Sequence, residues 1–505
     1  MTDELTPRVR AVLDLGISNA RELSGRHEYD GVLQDLSPSG IAAALSRLGG
    51  APLADAHDEA HLTAFENAAR LEYGRIERHR HNPFQHLDNL DLACYDRPYA
   101  PAEERAAAKQ RHLAGWPDAV DASLKSLDSV PSPIARSLLA AARGLAVGLV
   151  AERSPAEAAA ISAHARLVDH IADAAENGPT ETALGAEALA DLLGVPEAAQ
   201  VDLSVLAAHA EAELARMTDL LTEAVGRIAP GRPVAEVVPE LLAEHPDIDG
   251  VLDQARTLTE EVLAFTRSSG LAPVDDGDCL VDIAPESRRY AVAMLAWAAP
   301  GEPEGPSYYF VTPPEPNWPE AEQVQWLTLF NRTTLPAITV HEVAPGHFTH
   351  GRALRHARGD VRRHLMSDAF AEGWAHYGEE LCLEEGFRDG DARFAAGVAL
   401  EALTRVVRLS CSIGLHTGAI DVDEATRRFE RDAHLGHAGA RSEARRGTFD
   451  ARYGQYTWGK LELRALRERA KTQWGAGFTL RRLHDALFDL GSPPIGLLDE
   501  ALRRG

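Results

Sequence analysis

His341-Glu342-Val343-Ala344-Pro345-Gly346-His347, followed by Ala371-Glu372-Gly373-Trp374-Ala375-His376-Tyr377, is the stretch on which the reading of this chain turns. Two imidazoles, a downstream carboxylate and a glutamate directly after the first histidine suit a catalytic zinc ion. They offer three protein ligands, an open position for water, and a carboxylate to take the water's proton. In HExxH, four residues bring both histidines to one helix face. Here the second histidine is six residues on. Six residues of straight helix turn the side chains about 120° apart and separate them by roughly 9 Å. Ligands of one zinc must bring their nitrogens to about 3.5 Å, so a regular helix cannot hold the pair. Pro345 cannot donate to the His341 carbonyl and clashes with it, so the helix must break or bulge. Gly346, expected at backbone angles unfavourable to a Cβ, can then turn His347 back. The stretch reads as a helix-borne HE pair, a distortion, and a second ligand opening the next helical segment.

On the following helix Glu372, His376 and Glu379 recur at i, i+4 and i+7 along one face. Glu372 is the candidate third ligand, with Glu379 or His376 orienting the ligands from behind. His376 and His350 are spare imidazoles that could replace one of the set. Ser367 or Asp368 can cap this helix.

The bulk properties are those of a globular chain of 505 residues, 45% hydrophobic and 25% charged. Aromatics at 6% beside abundant alanine, leucine, arginine and glutamate lean toward helix. A net charge of −26 argues against nucleic acid or anionic lipid as partner, since both need clustered Lys and Arg. Cys94, Cys279, Cys382 and Cys411 show no CxxC spacing, so neither a disulfide framework nor a thiolate zinc site is expected. The start MTDELTPRVRAVLDLG lacks the basic and apolar regions of a secretory signal, and no window approaches a membrane span. The expected location is the cytoplasm.

Apolar residues at three- and four-residue steps predict helices over 104–113, 133–152, 155–176 and 203–228, with breaks at 176–181, 229–233 and 270–278. A helical part, 1–270, is expected to cover a cleft in a catalytic part, 271–505. The histidine-rich segment from His79 to His86 reads as a solvated helix end. Leu280–Ala284 and Tyr308–Thr312 are the strand candidates. Seven prolines from Pro300 to Pro319 exclude helix there and point to an edge strand and an irregular loop beside the metal. Helix resumes over 321–334.

The segments HEVAPGHFTH, AFAEGWAHYGEEL and RLSCSIGLHTGAI resemble three signatures of the bacterial family known as domain of unknown function 885. Its members carry HExxPGH, an EGWxxYxE helix and an R-x-x-x-D-x-G-x-H segment. The resemblance implies a mainly α, two-lobed, gluzincin-like metallopeptidase fold with a small edge β-sheet beside the metal cleft. It implies His341, His347 and Glu372 as metal ligands and Glu342 as general base. There are departures. Ser412 stands at the family's aspartate, although Arg408, Gly414 and His416 are kept. Of P-G-Q-A-x-x-Y-x-x-G, only Tyr456 and Gly459 fit without gaps, and Arg452 replaces the glutamine.

The expected chemistry is hydrolysis of a peptide or amide bond. Zinc, one per chain, would lower the pKa of a bound water from 15.7 toward about 7. Glu342 would accept its proton and deliver it to the leaving amine. His416 and Tyr456 are candidate donors to the oxyanion, and Arg408 or Arg452 could hold a substrate carboxylate. Manganese or cobalt are alternatives to zinc, because borderline N and O ligands accept several divalent ions. Short peptides lead as substrates; an amide in a small metabolite is the second reading, and a binding protein without turnover the third.

Overall fold

A computed structural model of the chain describes residues 5–273, 276–289 and 291–505. The chain start and part of the expected break at 270–278, Val274 and Asp275, lie outside the described residues. The architecture is mainly α. Leu203–Ile228 is helical over the expected residues, and the Asp202 carboxylate caps it by accepting from the N–H groups of Ser204 and Val205. Its stripe of Leu206, Ala210, Met217, Leu221 and Ala224 is buried at three- to seven-residue steps.

Other expectations are corrected. The helix predicted over 133–152 runs only over Ser132–Gly144, after which Gly148 adopts a left-handed φ of 85° within a turn. The helix predicted over 321–334 is Glu320–Leu327 with a short tight turn Thr328–Phe330. There the Asn331 side chain accepts from the N–H groups of Thr333 and Thr334 and competes with helix continuation. His79 and His86 are buried rather than solvated. The His86 ring lies 2.8 Å from both Ser123 Oγ and the His79 carbonyl.

The sheet has three strands, β1 (Cys279–Ile283), β2 (Ala293–Ala296) and β3 (Ser307–Val311), in the order β1-β3-β2. β3 pairs parallel to β1, with Val281 opposite Tyr309, and antiparallel to β2, with Leu295 opposite Tyr309. The Tyr308 stretch, expected at an edge, is therefore the central strand. β2 carries no alternating β-branched pattern and was not anticipated.

The largest apolar core joins Val281, Tyr309 and Val311 of the sheet to Leu335, Val340, Phe370 and Trp374. It also takes in Leu206, Val251 and Val262 from before residue 270. The expected boundary at 270 thus does not separate two cores. A further core has its buried residues, Leu87 to Ala175, in the N-terminal part, with Phe449 packed against it. Charge reinforces the shared packing. Lys460 is fully buried, 2.9 Å from Glu213 and 2.8 Å from Glu380, tying helix Leu203–Ile228 to the helices that carry Glu372 and Tyr456.

Glu197 provides a test of this packing. Its buried carboxyl accepts from Ser367 Oγ at 2.6 Å and the Ile495 N–H at 3.0 Å, and burial pushes its pKa up to about 7. An unfolded glutamate titrates near about 4.3, so the folded state holds this proton more tightly. The stability Glu197 contributes is therefore complete below about pH 4 and is lost as pH rises toward 7. Glu197→Gln should stabilise the protein relative to wild type at pH 8 by on the order of 2 kcal/mol, with the difference vanishing near pH 4. Thermal melts of both proteins across that range check it; a constant difference would remove Glu197 from the pH dependence.

Candidate metal centre

The HE helix, Leu335–Glu342, ends in the HE pair, and Val343 leaves helical geometry at φ −106° and ψ −88°. The Ala344–Pro345 peptide is cis, and the next helix, His347–His356, opens on the second histidine. The expected break is present. Trp374 Nε1–H donates to the Pro345 carbonyl at 2.6 Å, which pins the loop to the EGW helix, Asp368–Glu384. Ser367 caps that helix by accepting from the Phe370 N–H. The helix packs closely on Gln455–Trp474, where a Cβ on Gly373 would stand 2.5 Å from the Gly459 Cα.

These elements bring His341, His347 and Glu372 together. Nε2 of each histidine lies 3.4 Å from Glu372 Oε2, and the rings meet edge to face with centroids 4.7 Å apart. One ligand atom from each residue falls within 4.8 Å of the others, the one such cluster among the described residues. Donors about 2.1 Å from one tetrahedral ion stand roughly 3.4 Å apart, so nitrogen, nitrogen and carboxylate oxygen fit a zinc site. His341→Ala or Glu372→Ala should remove most of the metal from purified protein, each deleting one of three ligands. Unchanged metal by elemental analysis in both variants would reject the assignment.

Behind the cluster, Glu379 Oε1 lies 2.7 Å from His341 Nδ1, which leaves Nε2 of that ring facing the site. Burial raises the Glu379 carboxyl, but Arg405 and the nearby histidines more than reverse this and hold it well below the carboxylate range. Arg405 reaches Glu379 at 3.1 Å and Glu401 at 3.3 Å. The sequence reading missed Arg405 and Glu401, although their i, i+4 spacing was visible. His376 supports Glu379 with Nδ1 at 3.4 Å, and burial lowers its pKa to about 3. His350 is enclosed by Trp297, Phe370 and Phe488 and does not join the cluster.

The other candidates divide. The Tyr456 ring stacks on His341 at 6.3 Å, with Arg408 5.4 Å and Arg405 5.9 Å from its centroid. Arg408 itself forms a bidentate pair with Glu443, at 2.7 and 2.8 Å, and so props the tyrosine instead of meeting a free carboxylate. Arg452 joins Glu72 at 3.2 Å and Asp368 at 3.6 Å, one turn from Glu372. His416 is corrected. It lies eleven residues beyond Arg405 on helix Ala392–His416, about 16 Å along the axis. It is buried, with Nε2 2.8 Å from the Gly447 carbonyl, so it fastens helix ends and meets no oxyanion.

The model of the family described as bacterial protein of unknown function (DUF885) matches residues 15–502. The chain belongs to that family. Two solved structures share the fold of this DUF885 protein. One is a putative lipoprotein of unknown function from Shewanella oneidensis, at 18% identity and TM-score 0.78, covering 98% of each chain. The other is a putative lipoprotein from Colwellia psychrerythraea, at 16% identity and TM-score 0.79, covering 98% of this chain and 97% of that one. No curated protein matches the DUF885 chain. Among the described residues no helix is long and apolar enough to cross a membrane.

Proposed function

We propose that this protein is a metal-dependent hydrolase of peptide or amide bonds, of a divergent gluzincin-like branch, with one zinc ion per chain. The convergence of His341, His347 and Glu372, with Glu379 behind the first imidazole, carries the reading. A divalent cation held there would acidify a coordinated water and polarise a substrate carbonyl. Glu342 takes the water's proton on its carboxylate and passes it to the nitrogen of the leaving amine. Burial pushes the Tyr456 phenol up to about 12, so it keeps its proton and can donate to the carbonyl oxygen as charge develops there. Arg405 and Arg408 hold that ring in place.

Glu372 and Tyr456 keep some water-accessible surface, while surrounding protein desolvates both. Such partial exposure leaves only a narrow approach to the cluster, which favours short peptides over folded chains. We further propose the cytoplasm as location, supported by four cysteines in no disulfide; the lipoprotein description belongs to the two solved relatives. A digest of a peptide library by zinc-loaded protein, read by mass spectrometry beside Glu342→Gln, tests the function. Products from wild type alone support it, and an unchanged library rejects peptide hydrolysis in favour of the small-metabolite amide.

A further inference from the structure

Asp368 stands four residues before Glu372 on the same helix face, about 6 Å along the axis. Its side chain is 63% exposed, yet burial by surrounding protein raises its carboxyl. Arg452 opposes that rise, while Glu372, Asp450 and Glu72 add to it. A chain of charged contacts runs from Asp368 toward the N-terminal part. Arg452 bridges Asp368 and Glu72, and Arg78 joins Glu72 at 3.5 Å. Arg78 and Asn82 both donate to the Phe449 carbonyl, at 3.2 and 2.8 Å, locking the N-terminal segment onto residues 449–452.

We propose that Asp368 receives a free amino terminus of the substrate, so that the protein removes single residues from the N-terminal end of short peptides. This rests on the hydrolase reading. In such a peptide the ammonium nitrogen lies about 2.5 Å from the first carbonyl carbon. With that carbonyl at the His341–His347–Glu372 cluster, the ammonium falls between Glu372 and Asp368, within reach of a charge-assisted hydrogen bond. Arg452 holds Asp368 from behind; Glu72 and Asp368 already flank its guanidinium, which disfavours it as the seat of a substrate carboxylate.

Leucine hydroxamate and N-acetyl-leucine hydroxamate both seek the metal and differ only at the amino group. Titration calorimetry on zinc-loaded wild type should show the free amine binding at least about 10-fold more tightly, the scale of one charge-assisted hydrogen bond. Asp368→Asn, at a water-exposed position, should reduce that preference below about 2-fold and leave the acetylated compound unaffected. Equal affinities in wild type, a preference that survives Asp368→Asn, or no binding of the free amine would each overturn the proposal. Elemental analysis of the same samples separates the two levels. Bound zinc with equal affinities rejects the amine subsite alone, whereas protein that takes up no zinc rejects the hydrolase reading and the subsite together.

Discussion

Glu342→Gln should lower turnover by a factor of about 10² or more while the protein keeps its metal and its fold. The amide preserves the size of the side chain and one acceptor oxygen but cannot take a proton. Glu342 is 8% exposed at the end of the HE helix, and as the neighbour of His341 it is turned about 100° from it. Its charge is felt on β1 and β3. Burial, with Glu342 adding to it, pushes the Cys279 thiol up to about 12 and raises the Tyr309 phenol. At 8% exposure the carboxylate is largely shielded from bulk water. Steady-state kinetics paired with elemental analysis would check the expectation. Wild-type turnover in the variant would remove Glu342 from the chemistry, and loss of metal would make it a ligand or a structural support.

Gly346→Val should strip the metal although it alters no ligand. The reason differs from the one the sequence suggested. Gly346 has φ −67°, open to any residue, but a Cβ there would overlap the His341 carbonyl oxygen and lie 2.5 Å from that of Val340. The chain doubles back so tightly between the two histidines that the end of the HE helix fills the space a side chain needs. Relief would require moving His347 away from His341, and overpacking of this kind typically costs about 1–3 kcal/mol. We expect zinc affinity to fall at least about 10-fold, which corresponds to 1.4 kcal/mol, with a lowered Tm. Gly378→Ala is the milder comparison, since its Cβ would meet the Pro345 ring at 3.1 Å and the Gly346 nitrogen no closer than 3.9 Å. A Gly346→Val protein with full zinc and unchanged Tm would mean the tight turn is not what brings His347 to the cluster.

The sequence by itself determined the mainly helical class, the break between His341 and His347, a helix cap at Ser367 or Asp368 and the face shared by Glu372 and Glu379. Each follows from local chemistry: helical periodicity, a proline without an N–H, a hydroxyl ahead of a helix. Tertiary structure alone decided the rest. His341 meets Glu379 across 38 positions and Arg405 meets Glu379 across 26, while Arg452 meets Glu72 from the far part of the chain. His416 and Tyr456 looked equivalent as motif residues. Packing sends one to the Gly447 carbonyl and stacks the other on His341. β2 exists because β3 offers it a partner, and the helices before residue 270 join the later core because their apolar stripes fit it. Such outcomes depend on which buried surfaces and charges find each other once the chain is compact, and no local pattern carries that information.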